Sequence, residues 1–338
     1  MKVSFVIPTL NSEKTLKVCL DSILSQNQPR DSYEIVIADA GSSDATVEIA
    51  KSAGVDKIVN NELKTGEAGK TAGIKAASHD IIALVDSDNV LPDSTWLAQM
   101  LAPFEDPDVV ASEPLEYTVR CEDPALIRYF SMLGMSDPLC LFTGNYDRYC
   151  VLTNKWTGLN VPQEERPGWL KLTLSESNLP TMGANGFVFK RSLLEHVSWD
   201  PYFFDIDVAQ QSVAAGFPHF AKVKCGIVHL YCTRLRDFSM KQRRRIRDFL
   251  FFAQAKQRTY PWNNHRKRGI VLFTLATVTI VPLIVQSLIG FCRKPDRAWL
   301  YHLPACWITL WAYGTGTLRK IFGFKQEPVK RDNWQTKE

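Results

Sequence analysis

Two carboxylates separated by a single residue follow a short apolar run in the first third of the sequence. Residues 81–85 have the length and composition of a buried strand, and Asp86, Ser87 and Asp88 come directly after them. Two carboxylates at a strand end repel each other unless a cation or a hydrogen-bond donor lies between them. Hard oxygen ligands suit Mg²⁺ or Mn²⁺, so the pattern indicates a metal site that also holds a diphosphate. The alternative is an Asp- and Asn-rich turn that caps the next helix.

The elements that must position these carboxylates alternate between strands and helices. Apolar β-rich runs cover 3–7, 33–38, 57–59 and 81–85, and helical patterns cover 45–53 and 69–77. The alternation predicts an α/β fold with a mixed, mainly parallel sheet and helices on both faces. Ligands of such sheets bind outside the carboxyl ends of the strands, so Asn11, Asp39 and Asp86 are expected in one crevice.

Length and cysteine usage limit the class of protein. The chain has 338 residues, enough for two units, and a net charge of +4. Its eight cysteines form no CxxC pair and match no zinc pattern, so we expect reduced thiols without a disulfide framework. The N-terminal apolar run is too short for a signal peptide, and the first domain is therefore expected in the cytoplasm.

The last third of the sequence differs in character. Residues 234–258 are basic and interleaved with phenylalanines, which is typical of a helix at a membrane surface; a solvated helix face and nucleic-acid binding are the alternatives. Residues 269–292 carry no formal charge and are long enough to cross a bilayer core of about 30 Å, with a kink expected at Pro282. A second apolar run at 298–318 predicts a membrane hairpin of two helices. The alternatives are a hairpin that dips into one leaflet and a buried globular core.

These patterns divide the chain into four parts. They are a catalytic domain, a basic interfacial region, the membrane hairpin and a polar cytoplasmic tail, at 1–232, 233–268, 269–318 and 319–338.

Three segments, in this order and spacing, resemble family 2 glycosyltransferases: VIPTLNSEKTL, IADAGSSDAT and LVDSDN. The resemblance covers residues 1–230 and implies a GT-A fold, a nucleotide-diphosphate sugar donor and inversion at the anomeric carbon. It implies that the residues binding the nucleotide sugar are Pro8, Thr9, Asn11, Asp39, Lys70, Asp86 and Ser87. It also implies Mn²⁺ or Mg²⁺ held by Asp86, Asp88 and His229. A surface role for Lys70 and a structural role for His229 are the alternatives.

The acceptor side follows from the same resemblance. Relatives carry a Glu-Asp pair whose Asp is the general base, and here the pair falls on Phe204 and Asp205. Burial among aromatic side chains is expected to raise the pKa of Asp205, as a base requires. If the register is shifted, Asp207 is the base; otherwise it lies near the acceptor. Gly183 and Asn185 match the loop that faces the acceptor in relatives.

Together these features predict a membrane-attached inverting glycosyltransferase with its catalytic domain on the cytoplasmic side. The expected donor is a nucleotide-diphosphate sugar and the expected acceptor a lipid or lipid-linked glycan, without a nucleic-acid partner. One alternative is a polyprenyl-phosphate glycosyltransferase, whose acceptor phosphate needs no strong base. Another is a non-catalytic membrane scaffold with the same fold. The QRRRI segment resembles the QxxRW motif of processive relatives with Ile246 in place of Trp, so processive synthesis is not expected.

Overall fold

The structure is a computed structural model that describes residues 1–254, 258–260 and 267–323. Parts of the predicted basic helix and of the polar tail therefore lie outside the described residues. The chain divides into two compact units. The sheet unit comprises 1–118 and 160–230, and the helical unit comprises 119–159 and 231–338. The predicted first domain ran without interruption to residue 232, whereas residues 119–159 belong to the helical unit.

The strands of the described residues all lie in the sheet unit. They are β1 (Val3–Thr9), β2 (Tyr33–Asp39), β3 (Lys57–Asn60), β4 (Ile81–Leu84), β5 (Asn89–Val90), β6 (Ala111–Tyr117), β7 (Gln163–Arg166), β8 (Trp169–Thr173), β9 (Phe187–Lys190) and β10 (His219–His229). The strands predicted at 3–7, 33–38, 57–59 and 81–85 are present with small changes in length. The apolar pattern does not predict β6, β7 and β8, because polar side chains interrupt it in these strands.

The helices are distributed over both units. Those of the sheet unit are α1 (Glu13–Leu24), α2 (Thr46–Ser52), α3 (Gly66–Ala76), α4 (Trp96–Leu101) and α7 (Asp205–Ala214). Those of the helical unit are α5 (Ala125–Leu133), α6 (Leu139–Thr143), α8 (Leu235–Gln254), α9 (Lys267–Thr279), α10 (Val281–Arg293) and α11 (His302–Ile321).

One mixed sheet organises the sheet unit, in the order β3-β2-β1-β4-β9-β6-β10-β8-β7, with β5 paired to β10. The first four strands are parallel, and β9 is antiparallel to both of its neighbours, β4 and β6. Because β1, β2 and β4 run in the same direction, the loops that follow them meet at one edge of the sheet. This edge carries the residues singled out from the sequence.

Apolar periodicity explains how the sheet is covered. Successive residues of β1 and β2 are buried on both faces, as expected for central parallel strands. The helix α1 buries Leu16, Cys19, Leu20 and Ile23, which recur at helical spacing and pack in the same core as the strands. The thiol of Cys19 is one of eight free thiols among the described residues.

The helical unit has a separate core. Tyr129, Phe130, Phe238 and Trp299 pack together in it, which joins α5 of the inserted segment to the C-terminal helices. Burial of these large aromatic side chains accounts for the assignment of residues 119–159 to this unit.

Gln242 and Arg245, the residues of the QRRRI segment that match QxxRW, contact other groups within the helical unit. Gln242 is fully buried and donates to the Ser136 carbonyl at 3.2 Å. The guanidinium of Arg245 donates to the Ser136 hydroxyl at 2.9 Å, and Tyr313 donates to Gln242 at 3.1 Å. These contacts connect α8 and α11 to the turn between α5 and α6, which is a structural role.

The apolar segment 269–292 is bent rather than straight. It forms α9 and α10, which meet at 92° around Ile280, a residue with φ +66° that precedes Pro282. None of the described helices is by itself long and apolar enough to cross a bilayer, while α9 and α10 together meet the length and composition test. The first apolar run is therefore a bent pair, the second forms α11, and the membrane hairpin remains a prediction.

Candidate active site

The loops after β1 and β2 are connected by the carboxylate of Asp39. This carboxylate accepts hydrogen bonds from the Thr9 hydroxyl at 2.9 Å, from the Gly41 and Ser42 amides at 2.9 and 2.8 Å, and from the Ser42 hydroxyl at 2.6 Å. A carboxylate offers about four acceptor positions, so these donors engage Asp39 fully. Asp39 therefore fixes the turn beside the predicted nucleotide pocket, and direct contact with a nucleotide remains a prediction.

Asn11 supports the same turn from the end of β1. Its φ is +49°, a conformation that Asn adopts more readily than most residues, and its side-chain carbonyl accepts from the Ser43 amide at 2.7 Å. The next residue, Ser12, hydrogen bonds through its hydroxyl to the hydroxyl of Ser87 at 2.9 Å. The loops after β1, β2 and β4 therefore form one connected surface. Pro8 lies beneath it, against Gly69 of α3.

The DSDN turn after β4 is held by Asn89, which the sequence analysis did not assign to the site. Asn89 is fully buried; its side-chain carbonyl accepts from the Asp86 amide at 3.0 Å, and its NH₂ donates to the Asn185 side chain at 2.9 Å. Asn185, with φ +55°, donates in turn to the Tyr117 hydroxyl at 3.0 Å. The predicted donor turn and the predicted acceptor loop are thus in direct contact. The sequence could have pointed to Asn89, because it directly follows the two carboxylates Asp86 and Asp88.

Asp88 and His229 lie side by side, although they are far apart in the sequence. His229 Nε2 is 3.6 Å from Asp88 Oδ2, and the His229 ring packs on the ring of Tyr117 with centroids 5.5 Å apart. A carboxylate pair with one imidazole can hold Mg²⁺ or Mn²⁺ when substrate phosphates complete the shell. No group of three His, Cys, Asp or Glu side chains within the described ranges is arranged as a complete metal site. Metal binding by Asp86, Asp88 and His229 therefore remains a prediction.

A buried ion pair joins α3 to α7. Lys70 Nζ lies 2.7 Å from both carboxylate oxygens of Asp205, with 8% of the Lys70 side chain and 23% of the Asp205 side chain exposed. Burial raises the pKa of Asp205 to about 7, although the Lys70 ammonium lowers it, and the charges of Asp86 and Glu67 raise it. The predicted rise in the pKa of Asp205 is confirmed in direction. Lys70, predicted to bind the nucleotide, contacts the predicted base, and nucleotide binding by Lys70 remains a prediction.

The acceptor loop packs directly against Asp205. Gly183 has φ +105°, and a Cβ at this position would lie 2.7 Å from the Asp205 Cβ. The Gly183 amide donates to the Glu113 carboxylate, which also pairs with Lys222 at 2.7 Å in a fully buried position. The Glu113–Lys222 pair between β6 and β10 therefore anchors the loop that supports Asp205.

Accessibility distinguishes the two acidic residues at the start of α7. Asp207 is only 3% exposed within the helix, whereas Asp205 is accessible at the helix start. The cap position of α7 is Phe204, so Asp205 does not serve as the capping residue. The geometry favours Asp205 over Asp207 as the proton acceptor, and an acceptor contact by Asp207 is not supported by its burial.

The sheet order and the loops at its carboxyl edge define an α/β fold of the GT-A type. The structure is similar to that of the mannosyltransferase PcManGT from Pyrobaculum calidifontis in complex with GDP-Man and Mn²⁺. The TM-score is 0.51 at 16% sequence identity, and the match covers 96% of this chain and 88% of that chain. At this identity the similarity establishes the fold.

Sequence comparison gives the family. Residues 4–126 match the family described as Glycosyl transferase family 2. The chain is 30% identical over 139 residues to glycosyltransferase AglE from Haloferax volcanii, a match that covers 39% of this chain and 45% of that protein. It is 28% identical over 109 residues to a dolichyl N-acetyl-alpha-D-glucosaminyl phosphate 3-beta-D-2,3-diacetamido-2,3-dideoxy-beta-D-glucuronosyltransferase from Methanococcus voltae, covering 30% of this chain and 34% of that protein. The matches thus span less than half the length of these relatives. Residues 4–126 are therefore similar to the family 2 glycosyltransferases.

Proposed function

We propose that this protein transfers a sugar from a nucleotide-diphosphate sugar to a lipid-linked acceptor at the cytoplasmic face of a membrane, with inversion and with a divalent cation. The observation that carries the proposal is the position of Asp205. Its side chain is 23% exposed, and burial together with the charge of Asp86 raises its pKa to about 7. The Cβ and backbone of Asp205 pack against Gly183 of the acceptor loop. The reaction requires a general base whose pKa is close to neutral pH and which lies beside the turn that binds the donor.

The residues divide the reaction between them. Asp205 accepts the proton of an acceptor hydroxyl while that oxygen attacks the anomeric carbon, and the bond to the nucleoside diphosphate breaks on the opposite side. Lys70 holds Asp205 in position and keeps positive charge at the site. Asp86, Asp88 and His229 would hold Mg²⁺ or Mn²⁺, which supplies positive charge to the departing diphosphate.

The lipid-linked acceptor is supported by two observations. The Methanococcus voltae relative is named for a dolichyl N-acetyl-alpha-D-glucosaminyl phosphate acceptor. The bent pair α9–α10 meets the length and apolar composition of a membrane segment. At a membrane, a lipid-linked acceptor can reach the enzyme by lateral diffusion within the bilayer.

The proposal is tested by Asp205→Asn, which removes the base but keeps the size of the side chain. We expect glycosyl transfer to fall by about 10²–10⁴-fold, because general base catalysis typically contributes this much. Donor and Mn²⁺ should still raise the melting temperature, since the predicted donor site is intact. Asp200→Asn is the matched control, because Asp200 is an exposed carboxylate paired with Lys75.

The results separate the proposed reaction from its alternatives. Full activity of Asp205→Asn together with loss in Asp88→Asn would indicate a phosphate acceptor, which is already a nucleophile. Absence of both donor-dependent stabilisation and metal-dependent donor hydrolysis in the wild-type protein would indicate a non-catalytic scaffold.

A further inference from the structure

Large apolar side chains face outward on both helices of the bent pair. Ile270, Val271 and Leu275 of α9 are exposed, as are the α10 residues Val281, Ile284 and Leu288, with exposed fractions of 49 to 64%. Such a continuous apolar surface is unfavourable in water and indicates contact with another apolar phase. The opposite faces of the pair, with Phe273 and Leu283, are buried in the helical unit.

The length of each helix excludes a crossing by either one. The helices α9 and α10 have 13 residues each, and a helix of this size is about 20 Å long, shorter than a hydrocarbon core of about 30 Å. The bend of 92° turns the chain by about a right angle after the first helix. The pair can therefore enter one leaflet and cannot extend straight through both.

Both ends of the pair are attached to the same segment, residues 119–159. At the start, Gly269 packs so closely on α6 that a Cβ would lie 2.7 Å from the Phe142 carbonyl oxygen. At the end, the Arg293 guanidinium donates to the Val151 and Leu152 carbonyls at 3.0 and 2.7 Å.

The connection to α11 is held in the same way. Asp296 accepts two hydrogen bonds from the Arg128 guanidinium of α5, at 2.7 and 2.9 Å. Residues 119–159 contain no apolar run long enough to cross a bilayer. This segment therefore stays on the side of the membrane from which α9 enters the lipid. The beginning and the end of the pair therefore lie on one side of any membrane that it enters.

Basic residues border the apolar surface at both ends. Lys267 and Arg268 precede it, Arg293 and Lys294 follow it, and the sequence between them contains no Asp or Glu. Cations at this position match the negative headgroups of anionic phospholipids.

We propose that α9 and α10 form a re-entrant wedge, which inserts into one leaflet of an anionic phospholipid bilayer and returns to the side it entered from. The proposal deepens the membrane attachment of the proposed function and does not depend on catalysis. The occupant of the exposed apolar face is the acyl-chain region of a single leaflet.

Two native cysteines allow the topology to be tested in the full chain. Cys121 and Cys292 are both exposed, the first in the segment 119–159 and the second near the end of α10. The variants Cys292→Ser and Cys121→Ser each retain one of the two. Each is added to sealed phosphatidylcholine–phosphatidylglycerol vesicles and labelled from outside with an impermeant maleimide.

The wedge predicts that Cys292 and Cys121 are labelled equally before and after the vesicles are permeabilised. A hairpin that crosses twice would protect Cys292 until permeabilisation, while Cys121 would be labelled throughout, and this result would overturn the proposal. Failure to bind vesicles containing phosphatidylglycerol would overturn it as well. Loss of donor-dependent thermal stabilisation would instead count against the proposed function, because that readout does not involve the membrane.

Substitution of the apolar surface gives an independent test. Leu288→Asp should weaken vesicle binding by about tenfold or more, because a carboxylate in the hydrocarbon region is costly. The side chain is 60% exposed, so the variant should fold. Leu63→Asp is the matched control, since Leu63 is an apolar residue of the sheet unit with 49% exposure. Equal binding by both variants would show that the pair does not enter the lipid.

Discussion

At the scale of single residues, the Lys70–Asp205 pair is the main unexpected feature. The sequence indicated a nucleotide ligand at Lys70 and a base at Asp205, whereas the structure places the ammonium on both carboxylate oxygens. Lys70 therefore influences the proposed base directly, because its positive charge lowers the pKa of Asp205 while burial raises it. The contact predicts that Lys70 positions the proposed base.

This link predicts a change in the pH dependence of transfer. With Asp205 as base, activity should fall as the pH decreases through about 7. Lys70→Met removes the charge that lowers this pKa, so the acidic limb of the kcat/KM profile should move upward by roughly one pH unit or more. Lys75→Met is the control, because Lys75 lies on the same helix but forms an exposed pair with Asp200. An unchanged limb in Lys70→Met would exclude the positioning role.

At the scale of elements, the acceptor loop between β8 and β9 is fixed by tertiary contacts rather than by its own hydrogen bonds. Glu113 and Lys222 support it at Gly183, and Asn89 supports it at Asn185. The second contact joins the loop to the DSDN turn. Donor and acceptor sides are thus built on one network, which indicates that displacement of the loop affects both.

Gly183→Ala tests how closely the loop controls the base. The added Cβ would lie 2.7 Å from the Asp205 Cβ, so the carboxylate must move. A displacement of about 1 Å can lower activity by about 10²-fold, and we expect a loss of this order in kcat.

Gly168→Ala separates this effect from backbone strain. Gly168 also has a positive φ, +80°, but nothing lies within 4 Å of an added Cβ. It should lose about 1–2 kcal/mol of stability and keep its kcat. Comparable losses of kcat in the two variants would show that strain, and not the contact with Asp205, is responsible.

At the scale of the whole molecule, the two units have different tasks. The sheet unit carries the predicted catalytic residues, and the helical unit carries the exposed apolar surface. A polar cluster at the opposite end of the parallel strands stabilises the sheet: Glu34 accepts from Ser4 and Ser78 and pairs with Lys57. Burial alone would raise the pKa of Glu34, but these contacts lower it to about 2.

The cluster predicts how stability depends on pH. Because the folded-state pKa of Glu34 is depressed, its contribution is present above the unfolded-state pKa and is lost as the pH falls through about 2. Glu34→Gln should lower the free energy of unfolding by roughly 1–3 kcal/mol at pH 7 and by little at pH 2. Urea denaturation at both pH values measures the difference. An equal loss at both would mean that packing, not charge, explains the effect.

Local sequence patterns determined the first half of the fold. The alternation of apolar runs with helical patterns involves residues that are close in the sequence, so β1 to β4, α2 and α3 were predictable from it. The carboxylates after β2 and β4 were found for the same reason, since parallel strands bring their ends to one edge. The accumulation of uncharged residues after position 268 also identified the apolar segment.

Tertiary structure decided what depends on residues distant in sequence. Lys70 meets Asp205 only when α3 and α7 pack, and the accessibility of Asp205 relative to Asp207 depends on the loop above them. The segment 119–159 joined the C-terminal helices because its aromatic side chains are buried there. The composition of the apolar segment also did not determine its path. Length and hydropathy specify neither the bend at Ile280 nor the ion pair between Arg128 and Asp296.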